Sequence, residues 1–555
     1  MQAEVHSAPS SDAAPRTVPY QLLASILVVA IPIIAFAHPV LLDYQNHLAR
    51  IWMIAHDNLT PFFRVEWRHI STDVGIDLVA QALRRVLSPD LIGRFCLLLS
   101  VVLPVAGAVA LNARIYRGFN SYQLIIPFFA WPLTALAGFL NFQIGLGLAL
   151  LFVAIDPALS RRGPWLAALG RVALGVILFL DHPMALAFYC VLLAGSAFGA
   201  ERLKESPTPV GRRALRALLA AAVCPISIGV ISLVTGTAPG NREAAAETGQ
   251  IWWNTLNQTL NALASPLITY NRVVDLGLAA LLAAVLAFGL TTGKLRAHFG
   301  LASLAIALAV LSAFMPGYIS QAGWIDRRVP IMALLTAVSA IQISFVRRPR
   351  AELAFSVMAF LLIVGRTSWI AWNWQAADRM SASVSAAIAG VPAGAAILPL
   401  ENRPTSAELN APPPGRFIFH GEGVYRHLAT IAVFERRAFV PTVFSQHGVH
   451  PIDVNPPWDQ ITFREGGAIA SVAALSDPRL ISGNAPYVRL WKTRFDYVLL
   501  LNADFPDSYG ARPLPAELKL EKDAGFAVLY RIVPPKAAPA AVQLAATPVA
   551  ATAAH

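Results

Sequence analysis

The chain has 555 residues, of which 56% are hydrophobic and 14% charged, and its mean hydropathy is +0.56. Soluble domains carry roughly 25% charged residues, so this apolar excess excludes an ordinary water-soluble fold and requires a bilayer as solvent. The net charge of +11 sits mostly in short loops between apolar runs, so the partner it implies is the lipid bilayer and not a nucleic acid.

In chain order, residues 1–18 are rich in Ala, Ser and Pro and are expected to be disordered. About eleven apolar runs able to cross a bilayer follow, at 20–41, 91–111, 121–137, 140–155, 164–180, 184–200, 217–235, 273–291, 300–316, 329–346 and 351–371. The first has no basic segment before it beyond Arg16, so it reads as a permanent span and not a cleaved signal. The three cysteines, Cys96, Cys190 and Cys224, all fall inside predicted spans and read as structural thiols.

The loops fix a predicted orientation. With the N-terminus in the cytoplasm, Arg114/Arg117, Arg161/Arg162, the basic residues from Arg202 to Arg216, Lys294/Arg296 and Arg347/Arg348/Arg350 are all inside. The opposite short loops are poor in Lys and Arg, apart from Arg327 and Arg328, as the positive-inside rule requires. Trp369, Trp372 and Trp374 mark the predicted exit of the last span. Two long segments, 43–90 and 236–272, then lie outside and contain amphipathic pieces suited to the membrane surface.

The chain therefore divides into a disordered segment 1–18, a transmembrane region 19–372 with a long first external loop 43–90, an extracytoplasmic α/β domain 373–533, and a disordered Ala/Pro tail 534–555. In the α/β domain, 395–400, 416–420, 439–444, 495–501 and 526–532 read as buried strands and 424–435 as a helix.

The most informative stretch is Leu42-Asp43-Tyr44-Gln45-Asn46-His47-Leu48-Ala49-Arg50, where the first span leaves the membrane. Asp43, His47 and Arg50 recur at helical spacing and share a face, offering a base, a proton carrier and an anion binder. The alternative is structural: Asp43 caps the helix while His47 and Arg50 snorkel to the surface. Both readings stay open on sequence alone. Asp181 and His182 lie at an external turn between two spans, and Asp326 precedes Arg327 and Arg328 at the mouth of a late one. These three, Asp181, His182 and Asp326, are expected to line a cavity. Arg50, Arg327 and Arg328 are expected to bind phosphate, with lipid headgroups or Asp326 as the structural alternative for the last two. His420, His427, His447 and His450, with Glu422 and Glu435, match no standard zinc spacing, and no Walker or Ser-His-Asp pattern stands out.

An acidic residue after the first span, a long first loop and a C-terminal external domain resemble the GT-C superfamily of integral-membrane glycosyltransferases. That superfamily includes protein O-mannosyltransferases, aminoarabinose transferases acting on lipid A, and oligosaccharyltransferases. The Asp43–Arg50 segment, Gly138-Phe139-Leu140-Asn141-Phe142, Asp181-His182-Pro183 and Asp326-Arg327-Arg328-Val329-Pro330 are similar to segments of bacterial members. The resemblance implies a multi-pass protein of the bacterial inner membrane, with its C-terminal domain periplasmic. It implies transfer of a sugar from a polyprenyl-phosphate carrier to a glycan, lipid or protein, with Asp43 as general base or acceptor-orienting carboxylate. Many relatives pair two acids there, so the second carboxylate here must come from Asp57, Glu66, Asp73 or Asp77. A divalent cation is a possible cofactor. The alternatives from other classes are a transporter or lipid-carrier flippase, and a non-catalytic envelope scaffold. The first is disfavoured because no internal repeat is visible and the span centres are nearly free of charge.

Overall fold

In the computed structural model, seven helices among the described residues are long and apolar enough to cross a bilayer: Val18–Ala35, Pro89–Tyr116, Leu140–Ser160, Pro164–Asp181, Val210–Val234, Arg272–Thr292 and Pro349–Ile388. The structure describes residues 17–56, 60–68, 72–200, 209–235, 251–319, 322–419, 421–467, 469–483 and 485–533. The expected disordered segments therefore lie outside the described residues, except for Thr17 and Val18 at the first span.

Seven of the eleven predicted runs coincide with these helices. The other four are shorter. Phe299–Ser312 has 14 residues and Ile325–Ala340 has 16, against the roughly 20 that a hydrocarbon core requires. Pro183–Ala200 has 18 residues, of which Pro183–Gly199 forms the shorter apolar helix. The run at 121–137 differs in kind. It forms a 3-10 segment, Ser121–Ala130, whose ten residues are all buried, followed by the short helix Leu133–Leu136. Its apolar character reflects burial inside the bundle, and Pro127 and Pro132 oppose a continuous α-helix there.

Local signals set the helix ends. Ser88 caps Pro89–Tyr116 by accepting from the Leu91 N–H, with Pro89 at the first helical position and Asp90 in the first turn. This helix packs closely on Leu140–Ser160 because Gly107 and Gly147 leave no side chain between the backbones. A Cβ on either would collide with the other helix.

The last helix, Pro349–Ile388, runs for 40 residues, or about 60 Å at 1.5 Å per residue. That is twice a hydrocarbon core, so it continues well past the expected domain boundary at 372. Its distal half packs on the C-terminal region, where the Ser383 hydroxyl donates to Ala524 O and accepts from Ala527 N. Trp374 is accordingly buried and Trp369 donates to Thr269, leaving Trp372 as the exposed ring of the three.

The C-terminal region holds a five-stranded sheet in the order Ala470–Ser471, Ile397–Glu401, Tyr497–Leu501, Ala527–Ile532, Leu518–Asp523. The first three strands are parallel and the remaining pairings antiparallel. Predicted strands at 395–400, 495–501 and 526–532 thus appear. Residues 439–444 instead form buried irregular chain joined by a single bridge from Phe439 to Ala396. The stretch 416–420 contributes only the short hairpin strand Phe417–Ile418, with His420 outside the described residues.

The first loop is built into this region. Helices Tyr44–Ala55 and Gly75–Leu83 are joined by the bidentate ion pair of Arg50 with Asp77, both fully buried. Strand Phe63–Val65 pairs antiparallel with Ile452–Val454, and Phe63 stacks on Phe439 at 5.9 Å. Segment 251–263 behaves as a surface piece. Trp252, Trp253, Leu256 and Leu260 are exposed, as apolar residues facing a membrane surface would be.

A buried pair that loses one partner strands the other charge, at a cost of about 3–5 kcal/mol. Arg50→Met should therefore lower the melting temperature in detergent sharply, and Arg50→Met with Asp77→Leu should recover most of the loss. A double variant no more stable than the single one would contradict this role.

Candidate functional site

Asp43 stands at the N-cap position of helix Tyr44–Ala55, yet its side chain makes no capping hydrogen bond. The carboxylate instead faces the Nε2 of His427, from the C-terminal region, at 3.4 Å. The capping alternative is thereby removed.

The orientation of His427 follows from Asn46. The Asn46 Oδ1 accepts from Phe444 N–H at 2.8 Å, so its Nδ2 must point the other way. Nδ2 donates to Thr442 O at 2.8 Å and to His427 Nδ1 at 3.3 Å. With Nδ1 accepting, the ring proton belongs on Nε2, directed at Asp43. The backbone of Asp43 is held as well, since its N–H donates to Ala137 O at 3.1 Å. Gly138, at φ +83°, lies against Asp43, where an ideal Cβ would come within 3.1 Å of Asp43 N.

The His47 ring makes no hydrogen bond to the Asp43 carboxylate, although the residue's backbone N–H donates to Asp43 O at 3.1 Å. Its Nε2 lies 3.1 Å from Gly138 O and must donate, leaving a buried Nδ1 with no partner. Burial, reinforced by Arg50, lowers its pKa to about 3, so the ring is neutral. His47, His427 and His450 surround the Phe444 ring at centroid distances of 5.6, 5.1 and 5.6 Å.

Asp73 enters from the far end of the first loop. It is a non-glycine residue in the left-handed region, at φ 62°. Asn141 Nδ2 donates to its carbonyl at 2.8 Å and its carboxylate at 3.0 Å, while Asn141 Oδ1 accepts from Ile76 N. Burial pushes the Asp73 carboxyl up to about 6, against the opposing pull of Asn141, Arg50 and Arg328. Of the other second-acid candidates, Asp77 is spent on Arg50, Glu66 accepts from Arg68 N, and Asp57 is outside the described residues.

Asp181 and His182 lie just beyond, pinned where Val74 N–H donates to Leu180 O. Both are buried, at 5% and 8% exposure, and Asp326 is buried at 3%. Asp181 Oδ2 has no partner. His182 Nε2 lies 2.8 Å from Arg328 Nη1, while its Nδ1 faces Met184 N–H at 3.1 Å. A neutral imidazole has one acceptor nitrogen, so it can satisfy only one of these donors.

Arg328 lies over the Phe139 and Phe142 rings at 4.5 and 5.5 Å, and its Nε is buried without a partner. Among the described residues no carboxylate is within ion-pair reach of it, although Asp73 and Asp43 act on it at longer range. Arg327 is clamped between Trp324 and Phe419 at 4.0 and 4.1 Å, again with unpartnered nitrogens. Phe139 meets Trp324 edge-on at 5.7 Å, which joins the two arginine sites. Asp326 does not pair with either guanidinium; its Oδ2 accepts from Asn254 at 3.0 Å.

Asp43, His47, Asp181, His182 and Arg328 thus gather at one face, with Arg327 and Asp326 at its edge. Arg50 departs from expectation. Its guanidinium is consumed by Asp77 and carries no charge free for a phosphate. The sequence reading missed Asn46, Asn141, His427 and Phe444 as site residues. Asn46 and Asn141 lie inside the motifs already singled out, whereas nothing local distinguishes His427 from the other histidines. Among the described residues, no group of three or more His, Cys, Asp or Glu side chains is placed to hold a metal ion. No protein-family model matches the chain, and no curated protein does either.

A hydrogen bond to the ionised carboxylate lowers its pKa, so removing the Asn141 amide should raise that of Asp73. Difference infrared titration of Asn141→Leu should show the carboxyl band disappearing at a pH above about 6. An unchanged titration would show that Asn141 does not set this group.

Proposed function

We propose that the protein is a membrane glycosyltransferase that moves a sugar from a polyprenyl-phosphate donor to an acceptor outside the cytoplasm. The acceptor is a glycan, lipid or protein. The observation that carries this reading is Arg328: a buried guanidinium with no carboxylate partner among the described residues, on which Asp73, Asp43 and Asp326 act only at longer range. A cation buried in this way favours an anion, and a lipid phosphate at the end of a membrane helix supplies one. The reading also takes support from the resemblance of the motifs that meet here.

In this scheme Asp43 takes the proton from the acceptor hydroxyl as its oxygen bonds to the anomeric carbon. The carbon–oxygen bond to phosphate breaks, and its electron pair leaves on the polyprenyl phosphate. Arg328, with Arg327, stabilises that developing charge. His427, with its Nε2 3.4 Å from the carboxylate, orients Asp43. Asp73 serves as the second carboxylate, and its raised pKa makes it sensitive near neutral pH. The site lies on the extracytoplasmic face of the bacterial inner membrane, beneath the C-terminal domain.

The test is transfer of labelled sugar from polyprenyl phosphate to endogenous acceptors in membranes containing inserted, folded protein. Asp43→Asn and Arg328→Gln should each reduce the rate by about 10²–10³-fold. Transfer by the unaltered protein should fall as pH drops through about 6, where Asp73 becomes protonated, and Asp73→Asn should abolish that limb. Undiminished transfer by Asp43→Asn would sink the proposal.

A further inference from the structure

The helix ends opposite the candidate site form an open cavity of about 1560 Å³. It is formed where Pro89–Tyr116 and Leu140–Ser160 end and where Pro164–Asp181 begins, against helices Val210–Ala221 and Phe299–Ser312. Small-molecule sites typically enclose about 300–1,000 Å³, so this volume holds more than a solvent-sized void.

Its chemistry is two-sided. Arg114, Arg117, Arg161, Arg171 and Arg216 line it, and the acidic residue among the lining is Asp156. Asp156 is already committed to Arg171, which bonds it through Nε at 2.7 Å and Nη2 at 2.9 Å. No ion pair holds Arg114, Arg117 or Arg161 among the described residues, and all three are exposed. One turn further into the bundle the wall becomes apolar, with Leu111, Val153 and Leu193 buried and Phe299 at the rim.

We infer that this cavity binds the phosphate headgroup of an anionic membrane lipid, with part of an acyl chain against Leu111, Val153 and Leu193. Basic residues are common at a cytoplasmic membrane face, and there they act through diffuse surface attraction. Here they surround a concavity whose floor is apolar. That combination matches an amphiphile with a charged head better than it matches a free ion. The inference is independent of the proposed transferase reaction, since none of these residues belongs to the candidate site.

The test is native mass spectrometry of the detergent-solubilised full chain titrated with phosphatidylglycerol, phosphatidylcholine or inorganic phosphate. Phosphatidylglycerol should be retained at least tenfold more strongly than phosphatidylcholine. The combined Arg114→Ala, Arg117→Ala and Arg161→Ala variant should weaken its retention by roughly tenfold, since each basic side chain near an anionic headgroup contributes a factor of about five when fully engaged. A control variant with Arg212→Ala, Arg347→Ala and Arg350→Ala removes three exposed charges that do not line the cavity, and should bind like the parent. Equal losses in the two variants would overturn the inference in favour of diffuse attraction. Inorganic phosphate displacing the lipid at equal concentration would overturn it in favour of a free-anion site, and equal retention of phosphatidylcholine would remove the headgroup's role.

Discussion

The Asn46 carboxamide joins parts of the chain nearly four hundred residues apart, using its oxygen for Phe444 N–H and its nitrogen for Thr442 O and His427. Because an amide has a fixed donor side and acceptor side, these contacts also dictate which nitrogen of His427 is protonated. That in turn aims a donor at Asp43. Strand Phe63–Val65, added to Ile452–Val454, and the Phe63–Phe439 stack hold the same two regions together a short way off. The candidate site therefore belongs to neither the membrane bundle nor the C-terminal region alone. It exists where the first loop seats one on the other.

Charge placement separates what holds the loop together from what is left for a ligand. Arg50 and Asp77 neutralise one another in a fully buried bidentate pair, a geometry suited to structure. Arg327 and Arg328 are treated differently. Aromatic faces support both guanidinium groups, leaving several N–H donors unmatched, and Asp181 nearby keeps a carboxylate oxygen without a partner. Unmatched buried polar groups are costly, and several of them belong to residues of this face: His47, Asp181, Arg327 and Arg328.

Much of this was legible in the sequence, for identifiable reasons. Hydropathy finds long spans well because a bilayer imposes one length and one polarity, and seven runs coincide with helices that meet both. It fails at 121–137 because a segment buried by protein on every side is as apolar as one facing lipid. Helical spacing placed Asp43, His47 and Arg50 along one helix, whose N-cap is Asp43. It could not show that Arg50 finds Asp77, because that partner comes from a second helix of the loop. Likewise the Asp43 carboxylate meets the ring of His427 and not that of His47, a contact made by tertiary docking that leaves no local pattern in the chain. The motifs around Gly138 and Asp181 did carry position, since both sit where a helix starts or ends at the site's face.

In the proposed reaction Arg328 and Asp43 serve opposite ends, the departing phosphate and the incoming acceptor. The most direct measurement is an electron cryomicroscopy structure of the full chain bound to a non-cleavable polyprenyl-phosphonate sugar. The account predicts density for the phosphonate against Arg328, displacing its contact with His182, and the sugar's anomeric carbon turned toward Asp43. Phosphonate density seated elsewhere, with the Arg328–His182 contact intact, would contradict it.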